Sequence, residues 1–306
     1  MNHTPGFVRH DVTVPVPGAD LAAWWYQPTT QGPWPAVVMA HGFGAVKDMF
    51  LDRFAERFAR AGLAVLVFDH RGFGHSTGEP RQEADPEQQA RDYRHAITWL
   101  RAQPQVARER IGLWGTSYSG GQVLQVAAQD RRVACVVAQV PIISGSEQLR
   151  RRVPPEQQQA VHDGFAQERD RLAAGHAPTW RALIPEADGP SPIYRAPEAV
   201  AFYGQGLALS STWRNRVTLS SVAMSAEFEP GAHIHRISPT PLLMVVTTHD
   251  TTTPTDLALA AYERALQPKQ LVLLPGDHFV PYQREFEKAS SAALAWFVEH
   301  LGPVGA

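Results

Sequence analysis

Two serines lie two residues apart in the glycine-rich stretch GLWGTSYSGG, residues 112–121. A serine hydroxyl becomes a strong nucleophile only when a base accepts its proton and an acid orients that base. A nucleophile on a tight strand-to-helix turn also needs small neighbours two residues away on each side. Ser117 has Gly115 before it and the small Ser119 after it, so we predict Ser117 as the nucleophile. Ser119, with Gly121 two residues later, is the alternative.

An acid and a histidine follow Ser117 in the chain order expected of such an enzyme. Asp250 ends the apolar run PLLMVVTTHD, and His278 follows LVLLPGD. We predict Asp250 as the acid and His278 as the base. Asp256 is the alternative acid, although its place at the start of a predicted helix favours a capping or first-turn role. His249 points away from Asp250 on an extended backbone, which favours a structural role or a place at the mouth of the site.

A tetrahedral intermediate at such a serine needs two preorganised donors for its oxyanion. The stretch HGFG, residues 41–44, follows an early predicted strand and offers the backbone N–H of Phe43. The N–H of Tyr118 is the second predicted donor, and a simple glycine-rich turn is the alternative interpretation of HGFG. Asp69, His70 and Arg71 also follow a strand, and we expect them to brace a loop through ion pairs and hydrogen bonds.

The elements that would position these residues form an alternating series. Short apolar runs at 36–42, 64–72, 110–115, 133–141, 241–250 and 269–276 predict buried parallel strands. Helical stretches lie between most of them, such as 48–62, which ends at Gly62, and 85–104, which opens with Asp85 and Pro86. Residues 9–16 and 21–28 predict an antiparallel hairpin at one sheet edge. The predicted fold is α/β, with a mostly parallel central sheet flanked by helices.

The alternation stops between residues 144 and 239, where helices and loops are predicted instead. This segment is too long for an ordinary connection, so we interpret it as a helical cap inserted over the sheet. The predicted organisation is therefore a core at 1–143, a cap at 144–239 and a second core segment at 240–306. The cap contains several large aromatic residues that either line an apolar substrate pocket or form the cap's own small core: Trp180, Tyr194, Phe202, Tyr203 and Trp213.

Composition excludes some classes of function. The 306 residues are 44% hydrophobic and 19% charged with a net charge of −2, which favours a globular protein without a nucleic-acid or membrane partner. The N-terminal stretch lacks the pattern of a signal peptide, and no run of about 18 apolar residues occurs, so we expect a cytoplasmic protein. Cys135, the single cysteine, lies in an apolar run and is expected to be a buried strand residue. The stretch HIH at 233–235 has metal-ligand spacing but no evident third ligand, so we predict no metal and no cofactor.

The same motifs resemble those of the α/β-hydrolase superfamily. HGFG, FDHRGFGHSTG, GTSYSGG, TTHDTTTP and PGDHF occur in that superfamily's order and span nearly the whole chain outside 144–239. G-x-S-Y-x-G at 115–120 resembles the cocaine-esterase and Xaa-Pro dipeptidyl peptidase branch, and the compact length resembles dienelactone-hydrolase-like enzymes. HGFGAVKDMFLDRFAERFARAG and RIGLWGTSYSGG also resemble hydrolases linked to polyketide acyl transfer or release. In the cocaine-esterase branch a tyrosine hydroxyl assists the oxyanion, whereas Phe43 offers only its backbone N–H.

The resemblance implies Ser117, Asp250 and His278 as a catalytic triad, with Phe43 and Tyr118 as oxyanion donors. We therefore expect a serine hydrolase that cleaves a small-molecule carboxylic ester or thioester through an acyl-serine. An acyltransferase or thioesterase acting on a polyketide-like acyl group is the alternative. Peptidase activity is a weaker inference, because that branch carries large extra domains. A non-catalytic binding protein is disfavoured by the complete triad, and a homodimer is compatible with the sequence.

Overall fold

The structure is a computed structural model that describes residues 6–187, 189 and 191–302. Its strands are β1 Phe7–Val16, β2 Ala19–Pro28, β3 Trp34–Ala40, β4 Ala64–Phe68, β5 Val106–Thr116, β6 Cys135–Gln139, β7 Trp180–Arg181, β8 Val217–Thr218, β9 Leu242–Thr247 and β10 Lys269–Leu274. All six predicted core strands and both hairpin strands are confirmed.

Eight strands form the central sheet in the order β1-β2-β4-β3-β5-β6-β9-β10. β2 is antiparallel to both of its neighbours, while β3, β4, β5, β6, β9 and β10 pair in parallel. The inner strands β3, β4, β6 and β9 are buried along their whole length because both faces of the sheet are covered. Parallel strands place their carboxyl ends at one edge, where α/β proteins bind ligands.

The helices cover the sheet on both faces and fill the segment between β6 and β9. They are α1 Leu51–Arg60, α2 Pro86–Arg101, α3 Tyr118–Gln129, α4 Gly145–Arg152, α5 Pro155–Ala173, α6 Pro197–Tyr203, α7 Gly206–Leu209, α8 Leu219–Glu227, α9 Thr255–Arg264 and α10 Phe286–Leu301, with 3₁₀ helices at Pro230–Arg236 and Val280–Tyr282. No helix among the described residues is both long and apolar enough to cross a membrane.

Two apolar layers hold the helices to the sheet. On one face, Phe58 of α1 and Phe297 of α10 pack edge to face with their ring centroids 5.4 Å apart. On the other face, Tyr93 of α2 and Val123 of α3 belong to a separate buried cluster that also includes residues of α9. Cys135 is buried in β6, and burial raises the pKa of its thiol, which makes it a poor nucleophile.

Local capping explains where α2 begins and where α1 ends. Asp85 precedes α2, and its carboxylate accepts a hydrogen bond from the N–H of Gln88 at 2.9 Å, as an N-cap residue does. Pro86 starts the helix, where its missing N–H costs nothing. Gly62 follows α1 with a φ of +88°, a conformation that glycine adopts without strain. Both predicted helix ends are confirmed.

Residues between β6 and β9 form helices α4 to α8 and one short two-strand ladder. The ladder pairs Trp180 with Thr218 and Arg181 with Val217, where the sequence indicated no strand. A two-residue strand is too short to produce a recognisable periodic pattern. The segment packs on the core through aromatic contacts, including Phe202 with Phe279 at a centroid distance of 4.7 Å. It lies over the carboxyl edge of the sheet, since its residues contact the loops that follow β3 and β9.

Candidate active site

Ser117 lies in the turn between β5 and α3. Its φ of 58° and ψ of −114° are rare for a residue with a side chain, and such strain is typical of a nucleophile elbow. Gly115 permits this turn, because a Cβ atom there would lie 2.2 Å from the carbonyl oxygen of Ser119. The turn therefore needs glycine two residues before Ser117.

Ser119 has a different environment from Ser117. It is fully buried, and its hydroxyl donates to the carbonyl oxygen of Ala40 at 2.7 Å and accepts from the N–H of Thr116 at 2.9 Å. These bonds tie the end of β3 to the end of β5. The side chain satisfies buried backbone groups, which accounts for a serine at the position where the motif usually has glycine.

Ser117, His278 and Asp250 form one hydrogen-bonded line at the carboxyl edge of the sheet. The Ser117 Oγ lies 3.0 Å from Nε2 of His278, and Nδ1 of His278 lies 2.7 Å from Oδ2 of Asp250. Asp250 accepts from Nδ1–H, which leaves Nε2 to accept the serine proton. The three residues are at most 8% exposed. This geometry can transfer a proton from the serine to the histidine.

The loop after β9 holds the carboxylate of Asp250 in its ionised form. Oδ1 accepts from the backbone N–H groups of Thr252 and Thr253 at 2.8 and 2.7 Å, and the hydroxyl of Thr253 lies 2.9 Å from Oδ2. Burial acts to raise the pKa of Asp250, but the charge of His278 and the hydrogen bonds from His278 and Thr253 outweigh it and lower the pKa. Thr253 is not among the residues predicted from the sequence, although the threonine run after Asp250 is visible there.

The HGFG loop lies directly against the serine. A Cβ atom on Gly42 would come within 3.1 Å of the Cβ of Ser117, so glycine allows this close approach without crowding. The rings of Phe43 and Tyr118 pack edge to face at 5.1 Å, which places the two backbone segments side by side. Within the described chain, the N–H groups of Phe43 and Tyr118 donate to no other group. Both are available to an oxyanion.

Two side chains from the segment between β6 and β9 hydrogen-bond to the HGFG loop. The hydroxyl of Tyr203 donates to the carbonyl oxygen of Phe43 at 2.7 Å, and the indole N–H of Trp213 donates to that of Gly44 at 3.1 Å. Both rings are buried. Tyr203 and Trp213 thus orient the peptide units around Phe43, a role that sequence reasoning did not assign to them.

Two of the three residues from Asp69 to Arg71 form the ion pairs expected of a braced loop, and His70 does not. Asp69 accepts from the ammonium group of Lys47 at 2.7 Å, and Arg71 forms a two-point ion pair with Asp92. His70 differs, because both of its ring nitrogens are buried without a hydrogen-bond partner in the described chain. Burial therefore lowers the pKa of His70 well below its usual range, and the ring is neutral.

The structure places the remaining polar candidates outside the site. The carboxylate of Asp256, in the first turn of α9, pairs with Arg151 at 2.8 Å and is 65% exposed. His249 is exposed and bonded to the Thr248 hydroxyl. The histidines of HIH lie on a 3₁₀ helix, and no cluster of three or more potential metal ligands occurs among the described residues.

A cavity of about 840 Å³ opens over Ser117, and most of its lining comes from the segment between β6 and β9. Its lining includes Phe43, Tyr118 and Tyr194, and its size suits an extended organic substrate. Phe202 and Tyr203 border a second, small cavity beside Ser117 and His278.

The predicted cap aromatics therefore divide between the two roles left open by the sequence. Tyr194 lines the large cavity, while Phe202, Tyr203 and Trp213 belong to the buried cluster shared with the core. Trp180 packs under the guanidinium of Arg216 at 4.3 Å and lines neither cavity.

Comparison with known proteins places this chain in a family. The model of the X-Pro dipeptidyl-peptidase (S15) family matches residues 17–280. The chain belongs to this family. The resemblance to α/β hydrolases is confirmed, since the matched range includes Ser117, Asp250 and His278 and the solved relatives of this S15-family protein are α/β hydrolases.

The relatives of this S15-family protein include a thiohydrolase and a polyketide transferase. A thiohydrolase of Aspergillus aculeatus, AneE, is 35% identical and shares 78% of this chain and 76% of its own. The polyketide transferase GrgF of Penicillium is 33% identical, with 85% of each chain covered. The crystal structure of GrgF superposes with a TM-score of 0.83 over 96% of this chain and 99% of its own, at 29% identity. These relatives support a hydrolase-type enzyme.

Proposed function

We propose that this protein hydrolyses a carboxylic ester or thioester through an acyl-serine formed at Ser117. The observation that carries the proposal is the line of contacts from Ser117 through His278 to Asp250, with distances of 3.0 and 2.7 Å. Each contact lies within hydrogen-bond range, which acid–base catalysis requires. The name of the related thiohydrolase favours the thioester as the preferred substrate.

In the first half of the proposed reaction, Ser117 attacks the carbonyl carbon while its proton moves to Nε2 of His278. The negative charge on the carbonyl oxygen is stabilised by the N–H groups of Phe43 and Tyr118. Asp250 stabilises the imidazolium that forms. The bond from carbonyl carbon to oxygen or sulfur then breaks, and the leaving group takes the proton from His278.

In the second half, water attacks the acyl-serine and gives its proton to His278. The bond between the carbonyl carbon and Oγ of Ser117 then breaks. Oγ recovers the proton from His278, and the free acid leaves. An alcohol or amine in place of water would give acyl transfer by the same steps. The related polyketide transferase makes transfer the second candidate function.

The proposal is tested with S-hexanoyl-N-acetylcysteamine, p-nitrophenyl hexanoate and alanyl-proline p-nitroanilide as substrates. We expect release of thiol and nitrophenol by the wild type, loss of both in Ser117→Ala, and no cleavage of the peptide analogue. Absence of turnover on all three, together with no labelling by an active-site fluorophosphonate, would overturn the proposal.

Transfer is separated from hydrolysis by adding a primary alcohol and quantifying the acid and ester products. Hydrolysis predicts that hexanoic acid remains the main product at millimolar alcohol. A dominant ester product at constant rate of thiol release would identify a transferase that shares the same acyl-serine.

A further inference from the structure

The charged side chains that line the large cavity are all positive in the described part of the chain. Arg152, Arg181 and Arg195 line it, whereas no described Asp or Glu does. They come from three separate cap segments: the end of α4, strand β7 and the loop before α6. A concave surface with charge of one sign raises the local concentration of the opposite ion.

These three arginines differ from their neighbours because none of them forms an ion pair with a carboxylate among the described residues. On α4, Arg150 pairs with Glu147 at 2.6 Å and Arg151 pairs with Asp256 at 2.8 Å. Arg152, the next residue, instead donates to the carbonyl oxygen of Thr252 and lies 5.6 Å from the ring centroid of Tyr194. Its charge is therefore not neutralised by a described acidic group.

The other two arginines, Arg181 and Arg195, line the same cavity. Arg195 donates to the hydroxyl of Ser191 at 3.0 Å, and that hydroxyl is neutral. Burial and the positive charge of Arg195 lower the pKa of Arg181. An anion bound in this cavity would offset the positive charge of both side chains and supply the oxygens that guanidinium groups bind in pairs.

The cluster also lies next to the proposed chemistry. Arg152 contacts the carbonyl of Thr252, whose N–H bonds Oδ1 of Asp250 at 2.8 Å. One cavity thus connects the arginines with the Ser117 hydroxyl. A substrate can place its carbonyl at Ser117 and a charged group at the arginines.

We propose that the substrate cleaved at Ser117 carries an anionic oxygen group that binds Arg152, Arg181 and Arg195. The group is a carboxylate on the acyl chain or a phosphate on the thiol arm, since both present the same paired oxygens to a guanidinium. This inference rests on the proposed function, because it assigns the substrate class of the same site.

The test measures binding by calorimetry to the Ser117→Ala variant, in which turnover cannot remove the probe. One pair is S-hexanoyl phosphopantetheine and S-hexanoyl pantetheine, and the other is S-adipoyl-N-acetylcysteamine and its ω-methyl ester. We expect the charged member of one pair to bind at least about tenfold more tightly at low salt, with the preference shrinking as salt screens the charges. The pair that shows the preference identifies the source of the anion.

Adding Arg181→Gln to the Ser117→Ala variant should reduce the preference for the charged probe to within about threefold. The matched change Arg150→Gln should leave this preference intact, because Arg150 is paired with Glu147 outside the cavity. Arg181→Lys keeps the charge and should retain part of the preference, which separates loss of charge from misfolding. Equal affinity within both pairs, binding of no probe, or a preference that survives Arg181→Gln would overturn the inference.

Turnover by the wild type separates this inference from the proposed function. Cleavage of the neutral and charged members at equal kcat/KM would leave the hydrolase proposal standing and overturn the anion site. A charge preference in binding, with no cleavage of any member and no labelling of Ser117, would instead overturn the hydrolase proposal.

Discussion

The polar side chains at the sheet edge and on the cavity wall differ in their burial and in their partners. At the sheet edge, Ser117, His278 and Asp250 are buried, and each of their side-chain polar atoms has a partner within 3.0 Å. On the cavity wall, Arg152 and Arg195 are exposed and carry charges without a described carboxylate partner. In the proposed reaction, the hydrogen-bonded triad would thus be preorganised, whereas Arg152 and Arg195, which now bond only neutral groups, would gain an anionic partner on substrate binding.

The largest expected effect comes from removing the charge of the acid. Asp250→Asn keeps the shape of the side chain but no longer stabilises the imidazolium of His278, so kcat should fall about 10⁴-fold. Steady-state kinetics on the thioester measures this. The matched control is Asp256→Asn on the surface of α9, which should leave kcat unchanged. A loss of similar size in both variants would mean that the acid has been misassigned.

The second effect compares the two serines of the elbow. Ser119→Ala removes two buried backbone hydrogen bonds and should lower the free energy of unfolding by about 1–3 kcal/mol. Its kcat should stay within a small factor of the wild type. Denaturant unfolding measures the loss, and Ser211→Ala at an exposed site is the control. A stable but inactive Ser119→Ala variant would favour Ser119 as the nucleophile.

A smaller effect is expected where the cap meets the HGFG loop. Tyr203→Phe deletes the bond to the carbonyl oxygen of Phe43, so kcat/KM should fall by a few-fold to tenfold, about 1 kcal/mol. Chain-length preference on acyl thioesters should not change, because the ring remains. Tyr262→Phe, outside the two active-site cavities, is the control. An unchanged kcat/KM would show that the loop keeps its position without Tyr203.

The smallest effect concerns pH. The pKa of Asp250 in the folded protein is below its usual value of 3.8. The ionised carboxylate therefore stabilises the folded state above about pH 4, and this contribution is lost as the pH falls through the folded-state pKa. The gap in unfolding free energy between wild type and Asp250→Asn should narrow between pH 6 and pH 3. A gap that widens on acidification would contradict the direction of the shift.

Local patterns explain why the sheet edge could be predicted from the sequence. Each strand is a short apolar run, and Ser117, Asp250 and His278 each follow one of them, so chain order and strand ends suffice to bring them together. The glycines at 42 and 115 were equally visible, because close backbone approach has a residue-type signature.

The cavity wall could not be predicted in the same way, because its contacts join distant parts of the chain. Tyr203 and Trp213 bond to carbonyl groups 160 and 169 residues away, and no periodicity indicates such a pairing. The arginines share the cavity only after the cap has folded, and the arginine run at 150–152 does not show which member lacks a carboxylate. Local sequence patterns therefore predict the residues of the triad but not the residues that line the substrate cavity.

The most direct test of the central claim is to find which residue becomes covalently modified. The wild type is incubated with a fluorophosphonate, digested, and analysed by mass spectrometry, with Ser117→Ala and Ser119→Ala treated in parallel. We predict one adduct on Ser117 in the wild type and in Ser119→Ala, and none in Ser117→Ala. An adduct on Ser119, or labelling that persists in Ser117→Ala, would contradict it.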